Sequence, residues 1–139
     1  MTIAQAMCTS FKAEILDEQH DLIADTIKLA LYTSSATLNA TTTAYATTNE
    51  LANGNGYSTG GVTLGSKAIT THSTTVCFDF ADPTFTSATF TANGALIYNS
   101  TNGNKAIAVL AFGGDFTVAG GTFTIVLPAA GTSGIIRID

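Results

Sequence analysis

The stretch Gly56-Tyr57-Ser58-Thr59-Gly60 has the glycine-x-serine-x-glycine spacing that exposes a nucleophilic serine in α/β-hydrolases. Such a serine needs a buried strand directly before it and a helix directly after it. Here Asn53-Gly54-Asn55 precedes the motif and Gly61-Val62-Thr63-Leu64 follows it. Because asparagine and glycine are typical of turns, we expect Ser58 to lie in a turn and not to act as a nucleophile.

Two histidines are the next residues that could do chemistry. His20 lies between Asp17 and Asp21, so carboxylates on neighbouring helical turns could bind a cation there. A metal site normally draws further ligands from elsewhere in the chain, and a solvated helix end is the interpretation we favour. His72 lies in a Thr-rich stretch, which favours an exposed position on a sheet.

Paired carboxylates and thiols complete the candidates for chemistry. Asp79 and Asp82 are three residues apart, and acid pairs can hydrolyse glycosidic bonds, but Asp82-Pro83 is more typical of the end of a strand. Cys8 and Cys77 could form one disulfide, although two buried free thiols are the favoured interpretation. The sequence therefore predicts no enzymatic activity, no catalytic residues, no cofactor and no metal site.

An amphipathic helix is predicted at the start of the chain. Apolar residues recur there at every fourth position, and Thr2 with Gln5 matches a capping box, so we expect a helix over about residues 3 to 17. This apolar stripe either packs on the protein's own sheets or docks onto another protein chain, and it is the candidate protein-interaction site: Ile3, Met7, Phe11 and Ile15.

From Asp25 onward the pattern is that of strands. Apolar and polar residues alternate around Leu29, Phe78 and Ile125, whereas 94–98 and 106–112 are apolar on both faces. Asn-Gly and Gly-Gly pairs between these runs predict turns, among them Asn93-Gly94, Gly113-Gly114 and Gly120-Gly121. We predict an all-β fold, an antiparallel β-sandwich or jelly roll with one short N-terminal amphipathic helix. Residues 1–24 form the helix or arm, and residues 25–139 form the β-sandwich domain.

Composition restricts the partners. The 139 residues are 45% hydrophobic and 11% charged, with a net charge of −5, so the chain is expected to fold as one domain with a sizeable core. A negative chain is a poor ligand for nucleic acid, and no stretch approaches the length of a membrane span. The first residues lack the pattern of a signal peptide, so we expect synthesis without export.

Three stretches of the sequence resemble a family of small proteins encoded in tailed-phage genomes. Residues 10–16 with His20-Asp21 resemble its opening helix, and residues 25–38 resemble its first strand and loop. Residues 56–61 and 95–99 complete a likeness that covers most of the chain. None of these stretches is catalytic, so the resemblance implies a class of protein and a location without implying an active site.

The resemblance implies a structural protein of the virion that is made in the host cytoplasm and assembled into the particle. The first hypothesis is a homo-oligomeric capsid cement or decoration protein that binds the major capsid protein and stabilises the shell. The second is a tail or head-tail junction component, and the third is a carbohydrate-binding surface module. The third hypothesis has the least support, because a carbohydrate-binding surface would use aromatic side chains as platforms and the chain has no tryptophan.

Overall fold

The computed structural model describes residues 2–139, which form two antiparallel sheets and one helix. In chain order the elements are β1 (Ala6–Met7), α1 (Thr9–Leu16), β2 (Ile27–Tyr32), β3 (Val62–Thr63), β4 (Ala68–His72), β5 (Thr75–Asp79), β6 (Thr84–Asn99), β7 (Lys105–Thr124) and β8 (Ile136–Ile138). The larger sheet has the order β1-β7-β6-β2-β3 and the smaller sheet β4-β5-β8. The predicted all-β fold with one short helix is confirmed, and its two sheets are consistent with a sandwich.

The core lies around the centre of the larger sheet, where strands are buried on both faces. The two runs that the sequence predicted to be buried on both faces lie here, in the second half of β6 and the first half of β7. Tyr98 stacks on Tyr45 in the loop after β2, while the neighbouring Asn99 bonds to His20 beyond the helix. Successive strand residues point to opposite faces, so the loop covers one face and the helical segment the other.

Beyond this core, β6 and β7 continue as a two-stranded ribbon that pairs Thr84 with Thr124 at its far end. The turns predicted at 93–94, 113–114 and 120–121 are wrong, because all three pairs lie inside these long strands. Gly113 and Gly120 adopt φ values of 80° and 63° there, and register shifts interrupt the β6–β7 ladder after Ala88 and Ala92. Glycine thus supplies bends within the ribbon instead of reversing the chain.

The helix is shorter than the sequence predicted. It begins after Cys8, which makes no side-chain capping bond, so the predicted helix over 3–17 and its capping box at Thr2 and Gln5 are wrong. Residues before Cys8 instead pair with other parts of the chain: Ile3 bridges to Leu38, and β1 pairs with Val109 and Ala108 of β7. Hydrogen bonds to these neighbours replace the helical bonds that the spacing of apolar residues suggested.

Several predicted core positions are confirmed, but the expected alternation of inward and outward side chains is wrong in two strands. In β2 every residue except Lys28 is buried, and in β5 Cys77 is buried although the alternation places it on the outward face. Phe78, Phe80 and Ile125 are buried, and Phe123 packs half-buried against the core. Val76 was predicted to point inward with Phe78, but it is 38% exposed. The reason is that Val76 lines an open groove between the helix and the smaller sheet, which no part of residues 2–139 fills.

Candidate functional site: an apolar groove beside the helix

An open groove of about 480 Å³ lies between α1 and the smaller sheet. We call it the α1 groove. One wall comes from β1, α1 and the segment just after the helix, and the other comes from β4, β5 and β8. Apolar side chains make up most of both walls, so the groove is a surface on which another apolar group can be buried.

Three of the four predicted interaction residues line the helical wall of this groove. Phe11 is fully buried at its base, while Met7 and Ile15 are half-buried. Ile3 is not part of the groove, since it is buried in the core next to Leu38. The structure thus divides the predicted stripe: Ile3 and Phe11 are buried within the protein's own fold, and Met7 and Ile15 keep exposed surface. Docking onto another chain stays a prediction.

The opposite wall is one face of the smaller sheet. In the antiparallel register Ile69 lies opposite Phe78, and Phe78 lies opposite Ile136. Val76 pairs with Ile138 one step further along the same face. Because directly paired residues and every second residue share a face, these five side chains form one apolar surface.

That surface is buried at its centre and open at its margin. Phe78 and Ile136 are about 5% and 4% exposed, whereas Ile69 is 54% exposed and Ile138 is 58% exposed. A sheet face normally buries its apolar side chains against a second layer. Here only the inner part of the face is buried, and a stripe of large apolar side chains remains in contact with water.

Acidic groups border the helical side of the groove. Residues 14–25 contain five carboxylates and no lysine or arginine, and two of these carboxylates, Glu18 and Asp21, line the groove. Across the groove, the Arg137 guanidinium donates to the Gly134 carbonyl oxygen at 2.8 Å and lies 3.5 Å from the Asp139 carboxylate. The one cation in the lining therefore already has an anionic partner, and the rim is negative.

The side chain of His20 is buried within the fold, so the prediction that it lies at a solvated helix end is wrong. The His20 ring is fully buried and stands edge-on to Phe11 at 5.0 Å between ring centres. The Asn99 amide donates to its Nδ1 at 3.1 Å, so Nε2 carries the hydrogen and donates to Glu14. These bonds fix the segment after α1 onto β6.

The Asn99 amide also donates to the Asp25 carboxylate at 2.7 Å, which lowers the pKa of Asp25, and the backbone N–H of Asp21 lowers it further. Asp21 in turn accepts from the backbone N–H groups of Ile23 and Ala24. The acidic residues near His20 therefore hold the chain after the helix in place. No cluster of three or more histidine, cysteine, aspartate or glutamate side chains within residues 2–139 is placed to hold a metal ion.

Both cysteines are buried free thiols, as the sequence predicted. Burial raises the pKa of Cys8 to about 11, and the nearby Glu14 carboxylate contributes to the same shift. Since the thiolate is the reactive form, the raised pKa and the burial both lower the reactivity of Cys8 in the folded chain.

The other sequence candidates lie apart. Ser58 is exposed in a turn that the Gly61 N–H closes onto its carbonyl oxygen at 2.8 Å, as predicted. Asp82 accepts from the Leu127 backbone N–H at 3.1 Å, and His72 bonds to Thr70 on the same strand at 3.0 Å. Each of these three residues has a local structural contact, and the structure brings none of them to the α1 groove.

One organising residue was missed by the sequence reasoning. The Glu50 carboxylate accepts from Tyr57 Oη at 2.6 Å, from Tyr45 Oη at 2.7 Å and from the Gly60 N–H at 2.7 Å. Burial and the bond to Glu50 raise the pKa of both tyrosines well above its usual value. This network fastens the long loop between β2 and β3 over the larger sheet. The only available signal was that Glu50 is the single charged residue in 33–61.

Comparisons of the chain with family models, with curated proteins and with solved structures found no match. The likeness to small tailed-phage proteins therefore stays a prediction. Within residues 2–139, no helix has the length and apolar character needed to cross a bilayer.

Proposed function

We propose that this protein is a non-enzymatic structural protein of a tailed-phage particle, a capsid cement or decoration protein. In this role it binds the major capsid protein, stabilises the shell and is present in many copies. The observation that carries the proposal is the α1 groove, because a large apolar surface left open to water marks a site of protein association. The proposal also rests on the sequence resemblance to phage virion proteins.

Chemistry elsewhere in the molecule supports a binding role over catalysis. Two polar networks stand out, Glu50 with its tyrosines and His20 with Asn99, and in each the polar groups are paired with one another within the fold. An active site needs a nucleophile or acid-base pair at an accessible cleft. The α1 groove is instead lined mainly by aliphatic and aromatic side chains, whose contribution to association is burial.

The test is binding to capsid shells that lack this protein, measured by co-sedimentation. We expect the wild-type chain to sediment with the shells and Ile138→Glu to stay in the supernatant, because the substitution puts a charge on an open apolar surface. Leu16→Glu is the matched control. Leu16 is 88% exposed at the end of α1 and does not line the groove, so this variant should bind as the wild type does. Failure of the wild-type chain to sediment with shells would refute the proposal.

A further inference from the structure

We propose that the α1 groove takes an extended segment of a partner protein, which joins the smaller sheet as a new strand beside β8. Alternate apolar side chains of the segment fill the groove, and lysine or arginine residues flank them. The inference rests on the proposed function only in taking the occupant to be a protein, and it names the chemistry that the occupant must have.

The first observation is a free sheet edge at the groove. Among residues 2–139, β8 pairs with β5 alone, so its other edge has no strand beside it. All three residues of β8 line the groove. An unpaired edge presents backbone N–H and C=O groups that an extended peptide can bind, and such strand addition is a common mode of peptide recognition.

The second observation is the side-chain pattern along that edge. Ile136 and Ile138 share one face of β8, where they pair with Phe78 and Val76, and this apolar face lines the groove. A strand added beside β8 places every second side chain on this same face. Those side chains meet Ile15 and Met7 on the helical wall, so apolar residues are needed at alternate positions of the segment.

The third observation is the charge of the rim. Glu18 and Asp21 border the helical wall, and Arg137 already lies against the Asp139 carboxylate. Basic residues beside the apolar ones find carboxylates within reach, and an acidic segment is repelled. A second copy of this chain, with a net charge of −5, is disfavoured as the occupant on the same grounds.

The experiment uses a synthetic peptide in which valine alternates with threonine and two lysines stand at each end. Its binding to the full chain is followed by fluorescence anisotropy, next to a peptide with glutamate in place of every lysine. We expect the lysine peptide to bind at least tenfold more tightly at low salt, with the difference shrinking as salt screens the rim. Equal binding of the two peptides, or no binding of the lysine peptide at about 1 mM, would overturn the proposal.

Strand addition is tested with N-methylated peptides. In an added strand only one edge of the peptide bonds to β8, and the other faces solvent. Methylating every second amide on one edge should weaken binding at least tenfold, while methylating the alternate set should leave it unchanged. If both methylated peptides bind as the parent does, the segment does not pair with β8 and the proposal is wrong.

Protein variants locate the site. Ile138→Glu should lower peptide affinity at least tenfold, and Leu16→Glu, which adds the same charge outside the groove, should change it less than twofold. Circular dichroism melting confirms that both variants fold. Equal effects of the two substitutions would overturn the proposal. Analytical ultracentrifugation tests for self-association. If the wild-type chain self-associates and Ile138→Glu abolishes this, the groove binds a second copy and the proposal is wrong.

The peptide and the shell assays fail independently. Shell binding that depends on Ile138 without any peptide binding refutes the extended segment and leaves the proposed function standing. Peptide binding without shell binding refutes the proposed function and leaves the extended segment standing.

Discussion

Replacing Glu50 with alanine should destabilise the protein more than its half-exposed position suggests. The carboxylate accepts three hydrogen bonds, two of which come from the buried Tyr57 hydroxyl and the Gly60 N–H. Alanine leaves both donors without this partner at a buried position. The Tyr45 hydroxyl, which makes the third bond, is half-buried and can turn to water.

The magnitude follows from these three bonds. A hydrogen bond to a charged group contributes about 1.5 to 3 kcal/mol, so the two buried bonds at the low end give about 3 kcal/mol and the Tyr45 bond adds about 1 kcal/mol. We therefore expect Glu50→Ala to lower the free energy of unfolding by about 4 kcal/mol. For a domain of this size that corresponds to a fall in Tm of about 12 to 16 °C. Glu50→Gln keeps one acceptor oxygen and should cost about 1 to 2 kcal/mol.

The assay is urea denaturation followed by circular dichroism for both variants and for Glu18→Gln as the control. Glu18 is exposed and glutamine has nearly the same shape, so this substitution should change stability by less than about 0.5 kcal/mol. If Glu50→Ala shifts the denaturation midpoint no more than Glu18→Gln does, the network does not hold the loop and the reasoning fails.

Three further predictions concern the core, the thiols and the tyrosines. Phe11→Ala should cost about 3 to 5 kcal/mol in urea denaturation because Phe11 is fully buried, and Leu16→Ala on the same helix should cost less than about 0.5 kcal/mol; similar costs would contradict the helix orientation. A thiol reagent should label Cys8 and Cys77 only after denaturation, and rapid labelling of the native chain would contradict their burial. Burial raises the pKa of all four tyrosines above 10, to about 12 for Tyr98, so their contribution to stability is complete below pH 10 and is lost as pH rises beyond it. Absorbance of tyrosinate should therefore appear together with alkaline unfolding, and titration near pH 10 in the folded chain would refute this.

Strand content was predictable because its signals are local. Alternation around Ile125, and the apolar run at 106–112, whose first five residues are buried, reflect how far each strand is buried, and burial selects residue type directly. The all-β class followed from these runs.

The errors arose where distant parts of the chain determine the structure. Ile3 and Met7 match the helical period, yet their segment bonds to Leu38 and to β7, and nothing near Ile3 in the sequence indicates those partners. Gly113-Gly114 was predicted to be a hairpin turn because glycine readily adopts positive φ. In the structure that conformation produces a bend inside β7.

The candidate site was predictable in part. Met7, Phe11 and Ile15 were identified by their apolar spacing, and all three line the α1 groove. The opposite wall comes from three strands spread over residues 68–138, and only their pairing brings Ile69 and Ile138 to the same surface. Glu50 was missed for a different reason: its partners Tyr45 and Tyr57 lie only five and seven residues away, but the segment that holds them has no periodicity from which a contact could be predicted.

A cryo-electron microscopy map of the phage particle that contains this protein tests the central claim most directly. We predict density for many copies on the outer surface of the shell, each with its α1 groove against the major capsid protein and a strand of that protein beside β8. Density confined to about 3 to 12 copies at the tail or the head-tail junction, as ring symmetry there requires, would contradict the claim, and so would shell-bound copies whose grooves face solvent.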